Sequence, residues 1–303
     1  MIESRKKERG IILSKTAKTN IILIIVTLIV AFFAVFFAIR SDNLLMSRSS
    51  RGGQNTPTLY VHGLGGSSKS TNHLATIASR DGGNRSLVIL VDKDGKIDYK
   101  GKLQLNTRKP IIQVIFQKKF TPVDKQVSWL HEILLRLRDH YGFKYYNAVG
   151  HSTGAVTILD TAAKYDKDED MPKLQKFISI AGPYDGVIKL SSMGTDNYVD
   201  SQGKPMIYSE SNKWFPSYQK LLNDCKNFPK DVSVLNIYGN DNSKQDSDGV
   251  VSVASAKSLK YLIGKRVKNY EEIPVNGVNG QHSRLHHNIF VDHIIARFLF
   301  DEN

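Results

Sequence analysis

From residue 58 onward, apolar residues in this chain follow two alternating spacings. Short continuous runs, rich in Val, Ile and aromatic side chains, predict buried strands. These runs cover residues 59–61, 87–91, 97–99, 111–116, 145–149, 177–180, 232–238 and 270–278. Between them, apolar residues recur at helical spacing over residues 70–78, 123–141, 155–164 and 289–300. This alternation predicts an α/β fold with a mostly parallel sheet and helices on both faces. Asp92-Lys93-Asp94-Gly95 predicts one antiparallel hairpin.

A longer apolar run precedes this region. Residues 21–39 are apolar except for Thr27, and residues 1–19 are polar and basic. A helix of about 20 apolar residues spans a bilayer, and preceding positive charge keeps the N-terminus cytoplasmic. We therefore predict a transmembrane signal anchor over residues 20–40, a flexible linker over 41–56 and an extracytoplasmic domain over 57–303. The alternative is a cleaved signal peptide, although the end of the run, FFAIR, matches its cleavage site poorly.

Composition narrows the possible chemistry. The chain of 303 residues has a formal net charge of +13, but no basic face with interleaved aromatics suggests nucleic-acid binding. The charge is interpreted as solvated surface, or as attraction to an anionic envelope. The one cysteine, Cys225, excludes a disulfide or a thiolate metal cluster within the chain. No metal and no cofactor is expected.

One segment carries a nucleophile motif. It is Gly150-His151-Ser152-Thr153-Gly154, between a predicted strand and a predicted helix. In α/β-hydrolases, G-x-S-x-G forms a sharp strand-to-helix turn that exposes the serine. The glycines leave room where strand and helix pack closely. We predict Ser152 as a nucleophile at a helix N-terminus; the alternative is an ordinary turn with a capping serine.

A glycine-rich loop follows the first predicted strand. It is His62-Gly63-Leu64-Gly65-Gly66, and such a loop supplies one of the two oxyanion-hole amides in serine hydrolases. We assign the two donors to the amides of Leu64 and Thr153. His62 is interpreted as a brace for the loop, and His151 as structural. The alternative is a phosphate-binding loop, but the segment fits neither G-x-G-x-x-G nor the Walker pattern.

The acid and the base of a triad are expected on loops after late strands. Asp241, Asp246 and Asp248 all follow the strand over residues 232–238. We favour Asp248 because a glycine and two valines follow it, which suits a structured turn. His282, the first histidine after the last predicted strand, is favoured as the base.

Two metal-binding alternatives are weaker. The Asp/Asn cluster over residues 240–248 lacks the spacing and the terminal Glu of an EF-hand. His286, His287 and His293 match no H-E-x-x-H type of pattern. The first two are expected to begin the final helix, and the third to lie within it.

Residues 185–230 break the alternation with a polar segment that contains scattered aromatics. We predict a lid whose aromatic side chains contact substrate, because long insertions in compact domains are often functional. The alternative is a surface excursion with its own small apolar cluster.

Four motifs together resemble a known family. HGLGGSS, GHSTGA, SDGVVSVASAKSLKYL and HSRLHHN occur in this order and are similar to those of DUF915, uncharacterised α/β-hydrolases found mainly in Gram-positive bacteria and often labelled cell-surface hydrolases. The resemblance covers residues 56–302 and extends more weakly to small bacterial lipases. It implies Ser152 as nucleophile, Asp248 as acid and His282 as base. The chain departs from the pattern at Ser252, where the family has Pro, and at His287, where an acidic residue is common.

The combined expectation is a membrane-anchored, extracytoplasmic serine hydrolase of the carboxylesterase or lipase type, which works through an acyl-enzyme. The expected partners are a small-molecule or lipid ester and the membrane, with no nucleic acid. Two alternatives stay open: an acyltransferase with the same triad, and a non-catalytic surface binding module on a hydrolase fold.

Overall fold

The computed structural model describes residues 56–104, 107–188, 197–242 and 245–300, together with residues 20, 24 and 27–31. Residues 27–31 are helical and belong to the predicted anchor over residues 20–40, most of which lies outside the described residues. The predicted linker also lies outside them, except for Thr56. Among the described residues, no helix combines the length and the apolar character needed to cross a membrane. Residues 49–303 form a compact unit of their own.

One eight-stranded sheet organises this unit. In chain order its strands are β1 (Thr58–Val61), β2 (Asn84–Val91), β3 (Ile97–Gly101), β4 (Pro110–Phe116), β5 (Tyr145–His151), β6 (Lys173–Ile180), β7 (Ser233–Asn240) and β8 (Asn269–Asn276). Their order in the sheet is β3-β2-β4-β1-β5-β6-β7-β8. All neighbours are parallel except β2 and β3, which form the predicted antiparallel hairpin. The predicted mostly parallel sheet is therefore confirmed.

Helices cover both faces of the sheet. They are α1 (Ser68–Arg80), α2 (Val123–Tyr141), α3 (Thr153–Lys164), α4 (Tyr218–Asp224), α5 (Val253–Lys257) and α6 (Ile289–Phe300). Successive side chains of a strand point to opposite faces, and β1 feeds both layers. Leu59 and Val61 pack in the layer of α2, α3 and α4, whereas Tyr60 packs with α1 and α6. Each layer is a buried apolar cluster, and the loops extend from the edges of the sheet between them.

The start of the last helix corrects one expectation. His286 and His287 lie in turns before α6, not in its first turn. The side chain of Asn288 accepts a hydrogen bond of 2.9 Å from the amide of Phe290, which is the capping role that Asn favours. His293 lies within α6, as predicted.

The predicted lid segment divides into two parts. Phe215, Tyr218, Leu221 and Phe228 are buried in the layer of α2 and α3, so the end of the segment belongs to the main core. The earlier part is held together by the carboxylate of Asp185, its first residue, which follows β6 closely in the chain. This carboxylate accepts hydrogen bonds from the Ser209 amide at 2.7 Å and from the Asn197 side chain at 2.6 Å. A lid therefore stays a prediction for residues 185–214 alone.

Candidate active site

The predicted site residues converge on one edge of the sheet. Ser152 follows β5, Asp248 follows β7, His282 follows β8, and the glycine-rich loop over residues 62–66 follows β1. Because these strands are parallel, their carboxyl ends share an edge, which is where open α/β sheets bind ligands. The topology thus gathers residues that are up to 220 positions apart in the sequence.

Ser152 occupies a strained turn between β5 and α3. Its backbone has φ 56° and ψ −130°, a region that residues with a side chain rarely adopt. The two flanking glycines are required by close packing. A Cβ at Gly150 would lie 2.5 Å from the Ala155 nitrogen, and one at Gly154 would lie 2.3 Å from the Val61 oxygen. This is the geometry expected of a nucleophile at a strand-to-helix turn.

Asp248 and His282 form a buried pair. Nδ1 of His282 lies 2.7 Å from Oδ2 of Asp248, and the two side chains are 9% and 1% exposed. The other carboxylate oxygen accepts hydrogen bonds from the amides of Val250 at 2.9 Å and Val251 at 2.7 Å. Since the Asp248 carboxylate is an acceptor, Nδ1 of His282 carries the proton in the pair, and Nε2 keeps a lone pair that can accept a proton.

The other two candidate aspartates differ from Asp248. Asp246 is exposed and accepts a hydrogen bond of 2.9 Å from the side chain of Asn240. Asp241 is partly exposed, and its amide donates to the Ser247 carbonyl at 2.8 Å. The carboxylate that the structure brings to Nδ1 of His282 is that of Asp248.

The side chains of Ser152 and His282, the predicted nucleophile and base, are not hydrogen-bonded to each other. In the described part of the chain, the hydroxyl of Ser152 forms no hydrogen bond to the His282 ring. It lies beside Gly63, where an added Cβ would be 3.2 Å from Oγ. Such contacts are often long without substrate and tighten in the reacting complex.

The glycine-rich loop leaves an amide free where an oxyanion donor is expected. The Gly65 amide donates to the Lys119 carbonyl at 2.6 Å, and the Gly66 amide donates to the Gly63 carbonyl at 3.0 Å. The Leu64 amide has no acceptor among the described residues. Thr153 is the first residue of α3, and first-turn amides of a helix lack partners within it. Both predicted donors are therefore available.

His62 holds this loop in place. Its Nδ1 donates to the Gly63 carbonyl at 2.8 Å, while its Nε2 accepts from the Phe116 amide at 3.0 Å. Burial lowers the pKa of His62, which keeps the ring neutral. Both ring nitrogens are occupied, so His62 is linked to β4 and has no free group for proton transfer.

The row of histidines beside His282 was not anticipated from the sequence. His151, immediately before Ser152, contacts the rings of His282 and His286 at centroid distances of 4.7 and 4.5 Å. His287 stacks on His73, whose Nε2 lies 2.8 Å from Oδ2 of Asp292. Among the residues that the structure describes, no group of three or more His, Cys, Asp or Glu side chains could hold a metal ion. The only signal for this row in the sequence is that several histidines occur in or near the motifs GHSTGA and HSRLHHN.

An aromatic pair lies beside the glycine-rich loop. Phe120 is 54% exposed and its ring approaches Trp214 at 5.9 Å. An added Cβ on Gly65 would lie 3.8 Å from the Phe120 ring. Trp214 comes from the predicted lid segment, so one aromatic of that segment does reach the neighbourhood of the loop.

Together, the parallel sheet, the serine turn and the buried Asp–His pair define the α/β-hydrolase class. Residues 47–302 match the family described as alpha/beta hydrolase of unknown function, DUF915, and the chain belongs to this family. No curated protein matches the chain.

Two solved structures are similar over most of their length. The product of the gene lin2722 from Listeria innocua is 24% identical with a TM-score of 0.70, over 82% of this chain and 95% of that chain. A proposed cell surface hydrolase from Lactobacillus plantarum WCFS1 is 25% identical with a TM-score of 0.66, over 83% of this chain and 94% of that chain. These likenesses confirm the fold.

Proposed function

We propose that this protein is a serine hydrolase of carboxylic esters that works through an acyl-enzyme. The observation that carries the proposal is the 2.7 Å contact between His282 Nδ1 and Asp248 Oδ2 at the sheet edge that also bears Ser152. Asp248 holds the imidazole in one tautomer and stabilises the imidazolium that forms during the reaction. The strained turn at Ser152 supports a nucleophile because such strain is concentrated at functional sites.

The reaction proceeds in two halves. Ser152 Oγ attacks the ester carbonyl carbon while its proton passes to Nε2 of His282. The tetrahedral oxyanion accepts hydrogen bonds from the amides of Leu64 and Thr153, each worth about 2.7–4 kcal/mol by analogy with measured donors. The bond to the alcohol oxygen breaks, and His282 returns the proton to that oxygen. Water then attacks the acyl-enzyme in the same way, which releases the acid and restores Ser152.

The site of action is proposed to be the outer face of the cell membrane. The basic N-terminus and the apolar run over residues 21–39 support a signal anchor with the domain outside. The solved relative from Lactobacillus plantarum, proposed to be a cell surface hydrolase, agrees with an extracytoplasmic location. When intact cells are treated with a protease, we expect the domain to be digested and the N-terminus to be protected.

The triad is tested by labelling the full chain, purified in detergent, with a fluorophosphonate probe and mapping the labelled peptide. Label is expected on Ser152, and it should be lost in Ser152→Ala and His282→Ala. Ser128→Ala is the matched control, because Ser128 is an exposed serine on α2 whose hydroxyl donates to the Asp124 carbonyl. Labelling that persists in Ser152→Ala would refute the assignment of Ser152 as the nucleophile.

A binding module is the second candidate, favoured by one observation: Ser152 and His282 are not hydrogen-bonded. It predicts that the folded wild type is not labelled and does not hydrolyse short nitrophenyl esters. The hydrolase predicts both reactions, and acceptor alcohols added to the assay would reveal acyl transfer as a second product.

A further inference from the structure

His151 is a buried histidine that the proposed reaction does not use. It is the last residue of β5 and directly precedes Ser152. The residue is 6% exposed, and its ring contacts those of His282 and His286. A buried imidazole needs a hydrogen-bond partner to offset its lost hydration. The partner of the His151 ring therefore indicates the role of His151.

Nε2 of His151 lies 3.1 Å from the main-chain oxygen of His282. A carbonyl oxygen can only accept, so Nε2 carries the proton and donates. His282 is held at two further points: its amide donates to the Asp248 carbonyl at 2.9 Å, and its Nδ1 donates to the Asp248 carboxylate. Amide, carbonyl and Nδ1 of His282 are therefore all fixed, and Nε2 alone remains for chemistry.

We propose that His151 is a positioning residue, which ties the strand of the nucleophile to the loop of the base through its hydrogen bond to the His282 carbonyl. This inference rests on the proposed function, since it assigns His151 a role in placing the proposed base. The bond directly couples the two loops, because its donor adjoins Ser152 in the chain and its acceptor belongs to His282. It supplies an anchor to His282 in addition to the two contacts with Asp248.

The surroundings keep His151 neutral. Burial holds the pKa of His151 well below its usual value, and the neighbouring His282, His286 and His62 lower it further. Burial also lowers the pKa of His286 to about 4. Among the described residues, His282, His286 and His62 are the titratable groups whose charge affects His151. His151 therefore donates as a neutral imidazole at physiological pH and brings no charge to the base.

The expected effect follows from geometry. A misplacement of about 1 Å in a reacting group costs about 100-fold in rate. His151→Phe keeps a ring in the space but removes the donor, so the rate constant for labelling by the fluorophosphonate should fall about 10- to 100-fold. His151→Gln carries an N–H at nearly the same distance from its backbone and should stay within about threefold of the wild type.

The test measures that rate constant, and the fraction of enzyme finally labelled, on the full chain. A positioning role lowers the rate in His151→Phe while the final fraction stays near the wild-type value. A merely structural role lowers the fraction and the melting temperature but leaves the rate of the remaining enzyme unchanged. His140→Phe is the control: His140 also contacts a backbone carbonyl, that of Arg136 at 2.9 Å, but it is exposed on α2.

Nitrogen-detected NMR supplies a readout that does not depend on activity. His151 is expected as the neutral Nε2–H tautomer near pH 7. An Nδ1–H tautomer, or an unchanged labelling rate in His151→Phe, would overturn the positioning role. Absence of labelling in the wild type would instead remove the proposed function, and the positioning role with it.

Discussion

Replacement of Asp248 by Asn tests how much the proposed reaction depends on one carboxylate. The Asp248 side chain accepts three hydrogen bonds: from the amides of Val250 and Val251 through Oδ1, and from Nδ1 of His282 through Oδ2. Asn has one acceptor oxygen and one NH₂ group. If the oxygen stays on the two amides, the NH₂ group faces His282 and forces its proton from Nδ1 to Nε2.

An imidazole protonated at Nε2 cannot accept the proton of Ser152. The corresponding change in a serine protease lowers kcat about 10⁴-fold, which is about 5 kcal/mol in the barrier. The fold should survive, because the shape of the side chain is kept. Loss of the charge-assisted hydrogen bonds should lower the free energy of unfolding by about 1–3 kcal/mol.

The assay is the rate constant of fluorophosphonate labelling, with urea unfolding of the same samples to confirm the fold. Asp246→Asn is the matched control, since Asp246 lies on the same loop but is exposed. Among the described residues it hydrogen-bonds the Asn240 side chain through its carboxylate and the Val253 amide through its carbonyl. Asp246→Asn should label at the wild-type rate. Labelling of Asp248→Asn within tenfold of the wild type would refute the reasoning. Loss of labelling in Asp241→Asn with retention in Asp248→Asn would move the acid to Asp241.

Three further changes test the architecture of the site. The free energy of unfolding of Ser152→Gly, measured in urea, should be about 1 kcal/mol higher than that of Ser152→Ala, because glycine relieves the strain of the positive φ. Gly154→Ala should lower the melting temperature and abolish labelling, since its Cβ would lie 2.3 Å from the backbone oxygen of Val61. Asp185→Asn should flatten the pH dependence of stability between about pH 4 and 6. Burial raises the pKa of Asp185 from 3.8 to about 6, so the folded state holds a proton that the unfolded state releases, and stability falls as pH rises through this window.

Each of these changes has a control or a result that would contradict it. Gly264→Ala adds a methyl group that meets a flexible lysine side chain at 3.1 Å, and it should melt near the wild-type temperature. Ser152→Gly that is no more stable than Ser152→Ala would argue against strain at the turn. For Asp185, urea titrations at several pH values are compared between variant and wild type. Burial also raises the pKa of Asp160 to about 6. If the free energy of unfolding of Asp185→Asn changes with pH as steeply as that of the wild type, the pH dependence of stability is assigned to Asp160.

Much of the candidate site could be predicted from the sequence because each of its motifs is local. Gly150 and Gly154 flank the serine at the positions where a side chain would strike Ala155 or Val61, so the turn is encoded within five residues. The hairpin at residues 92–95 and the boundaries of α2 and α6 are equally local, since turn residues and helical spacing act over a few positions. The anchor over residues 20–40 rests on the apolar run and the basic residues before it, and it stays a prediction.

Contacts between distant segments required the tertiary structure. Three aspartates fit the acid by sequence, and only the packing of the loop after β7 against the loop after β8 brings Asp248 to His282. The burial of residues 215–228 in the main core, and the row of histidines around His151, likewise depend on segments far apart in the chain. The sequence alone therefore determined the strands of the sheet, most of the longer helices and the serine turn, because these arise from local sterics and hydrophobic spacing. Which side chains meet across the edge of the sheet was decided by strand order and packing, because residue spacing along the chain carries no information about distance between its loops.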